Sequence, residues 1–125
     1  MIEYTSQPLS KKLTPILKRE WIEGLFYYRG VLCNPASDRC VWPKDGEEYF
    51  PAFTACELMK ALPDYLTGKD GDPHNLFLLK YGYEWSVSYD NVDGFPKSGR
   101  FFLDLNPAEA LGQMVVWLHG EGGIE

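Results

Sequence analysis

Apolar positions along the chain fall into two spacings. Between Asn106 and His119, Ala108, Leu111, Val115 and Leu118 recur every three or four residues, and Ala110 and Met114 widen the stripe. Asn106 can cap that helix, Pro107 suits its first position, and Glu109 stands where a capping-box carboxylate would. Gly120 ends it, where a left-handed residue costs least. A second helix is predicted after Thr54. Thr54 and Glu57 make a capping box, Phe53 and Leu58 hold the staple positions, and Ala61 and Leu62 extend the face until Pro63 stops it after about three turns. Near the start, Thr5 or Ser6 caps a helix with Leu9 and Leu13 inward and Lys11 and Lys12 outward. Pro15 has no amide to donate, so Thr14 and Pro15 read as a fresh start. Leu17 and Trp21 then lie one turn apart, in a kinked or two-part helix that ends at Gly24.

The other spacing is two. Tyr83, Trp85, Val87 and Tyr89 share one face of a strand, and Glu84, Ser86, Ser88 and Asp90 share the other, so one face is dry and one is wet. Phe101, Leu103 and Leu105 repeat the alternation in a strand starting at Arg100. Leu76 to Lys80 forms another, with Gly82 at a tight turn. Leu25 to Leu32 reads as one strand without clean alternation, Asn34 to Arg39 as a turn cluster, and Cys40 to Trp42 as a return alongside. Met1 to Tyr4 is a short strand or a loose arm. Together these elements predict a single α+β domain over residues 1–125, an antiparallel sheet of three or more strands with helices packed on one face.

Composition adds limits. A chain of 125 residues buries roughly two-thirds of its unfolded surface and folds without metal or disulfide staples. Eight Tyr, seven Phe and four Trp fill a core and leave aromatics to spare for a binding surface. The formal charge is −6. Through Gly30 there are five basic and three acidic residues, and beyond it seven basic and fifteen acidic. Such an acidic body repels phosphate, so nucleic-acid binding would rest on Lys11, Lys12, Lys18 and Arg19 alone, and nucleic acid is not the expected partner. Three cysteines, an odd number, do not make a disulfide framework. No apolar signal core opens the chain and no stretch approaches the roughly 20 apolar residues of a membrane span, which points to the cytoplasm.

Little of this assembles into chemistry. Cys33, Cys40, Cys56, His74 and His119 lack the paired two-to-four-residue spacing of structural zinc sites, so no metal and no cofactor is expected. A Cys33–Cys40 bridge can form on oxidation. A Cys–His catalytic pair assembled by the fold is the alternative reading, without a sequence signature to name its members. Asp70 with Asp72, and Asp90 with Asp93 and Gly94, lack the full ligand series of calcium loops and read as turns. His119 suits the negative end of the last helix. Trp42 and Trp117 are the candidate protein-binding aromatics, the first beside Pro43, the second just off the helical stripe.

Several landmarks also occur in a familiar order: Tyr4-Thr5-Ser6, Ser10-Lys11-Lys12-Leu13, Phe53-Thr54 with Leu58, Leu62 and Pro63, an aromatic hairpin, Asn106-Pro107, Ala110, Met114 and Trp117-Leu118-His119. In these the chain resembles a family of small uncharacterised proteins of gut Bacteroidetes, often encoded in prophages or conjugative elements. It departs from that pattern between Thr14 and Lys44. The resemblance implies a common fold and an accessory role in a mobile element, and carries over no catalytic residue. The acidic body, the surplus of aromatics and the absence of an ordered catalytic set make the expected function that of a protein-interaction module acting on another protein.

Overall fold

The computed structural model of the chain describes residues 4–17, 24–67, 71, 73–90 and 96–121, with side chains for all of these but 81 and 96–100. Lys18, Arg19, Trp21, Asp70, Asp72, Asp93, Gly94 and the first three residues, to which the sequence assigned roles, lie outside it. In chain order the elements are α1 (Gln7–Leu17), β1 (Phe26–Tyr28), β2 (Val31–Cys33), β3 (Phe50–Pro51), α2 (Ala55–Ala61), β4 (Tyr65–Thr67), β5 (Pro73–Tyr81), β6 (Glu84–Asp90), β7 (Pro96–Asp104) and α3 (Pro107–Gly120). Two antiparallel sheets result, one of three strands in the order β2-β1-β3 and one of four in the order β4-β5-β6-β7. The fold is therefore α+β, as the two spacings require.

α3 is the centre of the core. Ala108, Ala110, Leu111, Gly112, Met114, Val115 and Leu118 are all buried, against α1, α2, β6 and β7. A β-carbon on Gly112 would stand 2.6 Å from Leu9 Cδ2 and 3.2 Å from Leu13 Cδ1, so α1 crosses α3 with its leucines almost on the partner's backbone. Leu58 and Leu62 of the α2 region, Phe53 just before it, and Val87 and Tyr89 of β6 complete the cluster.

The helix starts explain how these parts are registered. Asn106 Oδ1 accepts from the Ala108 amide at 2.8 Å, while its Nδ2 donates to the Tyr4 carbonyl at 2.7 Å. Glu109 does not close a capping box on Asn106. The Asn106 amide is already taken by Asp104 Oδ1 at 2.9 Å, and Glu109 instead accepts from the amide of Ser6. Ser6 in turn accepts from the Leu9 amide at 3.4 Å, so the cap of α1 is itself held by α3. In α2 the box forms as the sequence implies, Thr54 and Glu57 each accepting from the other's backbone amide. That helix is seven residues long, shorter than expected.

Four other expectations change. α1 runs without interruption through Pro15, because the proline lies in the last turn on the exposed side, where water can serve the Lys11 carbonyl it leaves unpaired. Leu25 to Leu32 is not one strand but the hairpin β1–β2. Arg29 (φ 54°) and Gly30 (φ 79°) form its two-residue turn, a conformation that Asn-Gly would have advertised and Arg-Gly conceals. The partner on the far side of β1 is β3, while Cys40 to Trp42 forms no strand. Tyr83 does not face the core. It is the second residue of the Gly82-Tyr83 turn and is 89% exposed.

Replacing Leu111 by Ala is expected to cost about 2–5 kcal/mol, and Thr54→Ala about 1 kcal/mol, in denaturant titrations. A near-neutral Leu111→Ala would contradict the buried face of α3. Tyr89 supplies a pH test. Its buried hydroxyl donates to the Pro63 carbonyl at 2.7 Å, and burial, with Asp64 nearby, pushes its pKa well above the ordinary value of about 10. The unfolded chain then releases this proton first, so the stability is intact below about pH 10 and falls as pH rises beyond it. Tyr89→Phe should make that alkaline decline shallower.

Candidate interaction surfaces

The four-stranded sheet has one face under the helices and one that nothing in the described chain covers. Leu66, Leu76, Leu78, Val87, Tyr89 and Phe102 point to the helices. On the opposite face the register sets Phe77, Ser88 and Phe101 in one row and Leu79, Ser86 and Leu103 in the next. Phe77, Leu79, Phe101 and Leu103 are 37–51% exposed. Ser88, between two aromatic neighbours, is buried and donates to Asp90 Oδ2 at 2.9 Å. The surface is thus a shallow trough with a serine floor and Phe/Leu walls, and its central row ends in Glu84 and Asp90.

This corrects the assignment of Phe101, Leu103 and Leu105 to the dry face. Phe102 is the inward residue of β7, and the other three are exposed. The physical reason is the helix that follows. Asp104 and Asn106 fix the start of α3, and the pairing of Val87 with Phe102 leaves only Phe102 beneath it. The sequence did contain a signal for a two-sided strand. Leu76-Phe77-Leu78-Leu79 and Phe101-Phe102-Leu103 are apolar at both parities, which a one-sided strand does not need.

A second exposed region lies on the small sheet. Val31, Leu32, Cys33, Cys40 and Val41, with Arg29 and Arg39, line a cavity of about 440 Å³. Trp42 beside it is 52% exposed, its ring tilted 31° against Phe26 at 5.9 Å. Arg29, in its left-handed conformation, makes two side-chain contacts. Its guanidinium stacks 5.0 Å from the Tyr28 ring and pairs with Glu47 Oε2 at 3.0 Å. Glu47 also accepts from the Tyr28 hydroxyl at 2.6 Å and from the Lys44 amide at 2.9 Å. Those donors, the tyrosine first, hold its carboxyl below the usual carboxylate range.

Trp117 is elsewhere. It packs against the core from α3 and lines a groove of about 320 Å³ with Leu9, Lys12 and Phe102. Trp42 and Trp117 therefore sit in separate surroundings, one on the small sheet and one at the α1–α3–β7 seam. Of the remaining candidates, Lys11 lies over the Phe50 ring at 5.8 Å, Cys56 is exposed on α2, and His119 is exposed at the end of α3. Among the described residues no three His, Cys, Asp or Glu side chains are placed to hold a metal ion, and no helix is long and apolar enough to cross a membrane.

His74 is buried on β5, and among the described residues its Nδ1 has no hydrogen-bond partner. An orphaned buried polar atom typically costs about 1–3 kcal/mol. His74→Leu, of similar size, should therefore leave stability unchanged or raise it, as thermal or denaturant unfolding would show. A large loss would mean that the imidazole has a partner it needs. In comparisons with protein-family models, with curated proteins and with solved structures, nothing matches this chain.

Proposed function

We propose that the chain is a protein-interaction module that binds another protein through the uncovered face of its four-stranded sheet. The observation that supports this reading is the pair of Phe/Leu rows, Phe77 with Phe101 and Leu79 with Leu103, left to water on a sheet whose other face is fully used. An exposed, contiguous apolar patch has a transfer free energy to gain from a partner, whereas scattered apolar residues do not. Its Phe/Leu walls, serine floor and carboxylate ends suit a partner with apolar side chains edged by basic ones. Trp42 and Trp117 lie apart from this trough and are secondary contacts in the proposal.

The biological setting in the proposal is the one implied by the resemblance described above, an accessory protein of a mobile genetic element of gut Bacteroidetes, acting in the cytoplasm. Three free thiols accord with a reducing compartment.

The test is affinity capture from a host lysate with four baits: the unaltered chain, Phe101→Ser/Leu103→Ser, Trp42→Ala and Trp117→Ala. Phe101 and Leu103 are half exposed, so the double variant should retain its melting temperature to within the small effect of surface changes. A specific protein held by the unaltered chain should be lost with the double variant, with affinity reduced by about tenfold or more once the pair is purified. Retention of the same protein at unchanged affinity would reject the sheet face as the interface.

A further inference from the structure

The cavity of the small sheet contains the chain's two neighbouring thiols, and the way the backbone brings them together is independent of the sheet face discussed above. Cys33 ends β2, where it is paired in register with Phe26 of β1. The chain then makes two consecutive tight turns, closed by Ser37 N–H to the Asn34 carbonyl at 3.0 Å and by Cys40 N–H to the Ser37 carbonyl at 3.1 Å. Two side chains secure them. Asn34 Oδ1 accepts from the Ala36 amide at 3.0 Å and Ser37 Oγ from the Arg39 amide at 3.2 Å. Two residues after Cys40, Trp42 packs on Phe26, the register partner of Cys33. The returning chain is thereby held against β1, the neighbour of the strand it left. Both cysteines are free and partly covered, and both line the same cavity.

The charge around them is unlike that of the chain as a whole. In a protein of net charge −6, the described lining of the cavity carries two arginines, Arg39 and Arg29, the second paired with Glu47 Oε2 at 3.0 Å. The arginines offer an anionic reagent a counter-charge at the cavity wall.

We propose that Cys33 and Cys40 are a dithiol modification site, oxidised to an intramolecular disulfide by exchange with an anionic low-molecular-weight disulfide of the glutathione class. The Cys33 thiolate attacks one sulfur of the reagent, forming a mixed disulfide and expelling one thiolate. The Cys40 sulfur then attacks Cys33 Sγ, forming the Cys33–Cys40 bond and expelling the second. The two protons released by the cysteines go to the two departing thiolates. Two protein thiols are oxidised, one reagent disulfide is reduced to two thiols, and nothing further is required. Burial, and Cys33 beside it, push the Cys40 thiol up, and the intramolecular setting of its attack offsets the smaller thiolate fraction. The product ties the end of β2 to the segment that carries Val41 and Trp42. Cys56, alone and exposed on α2, has no such neighbour described and serves as an internal control.

The experiment treats the whole chain with oxidised glutathione or with the cationic disulfide cystamine, followed by intact mass, thiol titration and peptide mapping. With oxidised glutathione, Cys33 and Cys40 should both disappear from the titration. A linked peptide and a mass loss of about 2 Da for the pair should appear, together with a glutathione adduct at Cys56 alone. Cys33→Ser and Cys40→Ser should each retain glutathione on the remaining cysteine of the pair. Reaction of the pair should be several-fold faster with oxidised glutathione than with cystamine. Stable glutathione adducts on both Cys33 and Cys40 of the unaltered chain would overturn the proposal, as would a pair left intact while Cys56 reacts. A faster reaction with cystamine would overturn its anionic class.

Discussion

The structure depends on the way α1 and α3 share their beginnings. Glu109, in the first turn of α3, accepts from the amide of Ser6, and Asn106 donates to the carbonyl of Tyr4 while capping its own helix. Each helix would otherwise leave free amides at its start; that of Ser6 is satisfied from α3, and that of Ala108 by Asn106, whose side chain Tyr4 holds in place. One turn and more further on, Gly112 admits Leu9 and Leu13 to the backbone of α3. Polar ties at the ends and close packing in the middle fix both the rotation and the separation of the pair. Everything else is laid onto that pair. α2 and the inner faces of β6 and β7 pack on α3, while Thr5 connects α1 to the small sheet. The Thr5 hydroxyl accepts from Phe53 N–H at 3.1 Å and is 2.6 Å from Ser10 Oγ, and its carbonyl accepts from the Tyr27 hydroxyl at 2.9 Å.

A one-sided assembly of this kind has a consequence for the sheet. All three helices contribute to one hydrophobic cluster, so the described residues leave none to cover the other face of β5, β6 and β7. A sheet meant to end in water would carry polar residues there, and the middle strand does, with Glu84, Ser86, Ser88 and Asp90. Its neighbours carry Phe77, Leu79, Phe101 and Leu103 instead. Small residues in the centre between large apolar ones give the face relief, a trough that can seat a ridge from a partner. That combination is more specific than hydrophobicity alone.

What the sequence could show follows from the range of the interactions involved. The stripe of α3 and the capping box of α2 were legible because helix periodicity and capping are decided within a few residues. The inward row of β6 was legible too, because its alternation is clean. The choice of face in β7 was not, because Phe101, Phe102 and Leu103 satisfy either parity and the decision is made by Val87 opposite and by α3 behind. The β1–β2 turn was hidden for a related reason. Arg29 holds a positive φ that its own chemistry does not favour, and its side chain contacts Glu47 eighteen residues later and the Tyr28 ring. Glu109 had the right local position for a capping box and was claimed by a residue 103 positions away. For the surfaces, Trp42 was recognisable by type, whereas the sheet trough exists only through strand register. Cys33 and Cys40 were visible as a spaced pair, but their common cavity and its two arginines required the fold.

The two surfaces are mechanically separate, which bears on how they can act together. The trough is rigid because its strands are paired over long runs and backed by α3. The small sheet has strands of two or three residues, and its outer hairpin and the turns after it rest on side-chain contacts at Glu47 and Phe26. It reaches the core through Thr5, through Phe53 and through the contact of β3 with α1. A bridge between Cys33 and Cys40 constrains the turns and the Trp42 segment, and it lies beyond those three connections from the trough. Such a constraint changes the local ensemble around Trp42 and leaves the register of β5, β6 and β7 as it was, since no paired strand of the large sheet is shared with it. The proposed oxidation and the proposed binding would therefore be independent of one another on this fold unless one partner spanned both surfaces. A partner that does so would feel the state of the thiols through Trp42, and its affinity would then differ between reduced and oxidised protein by the contacts made at that tryptophan alone.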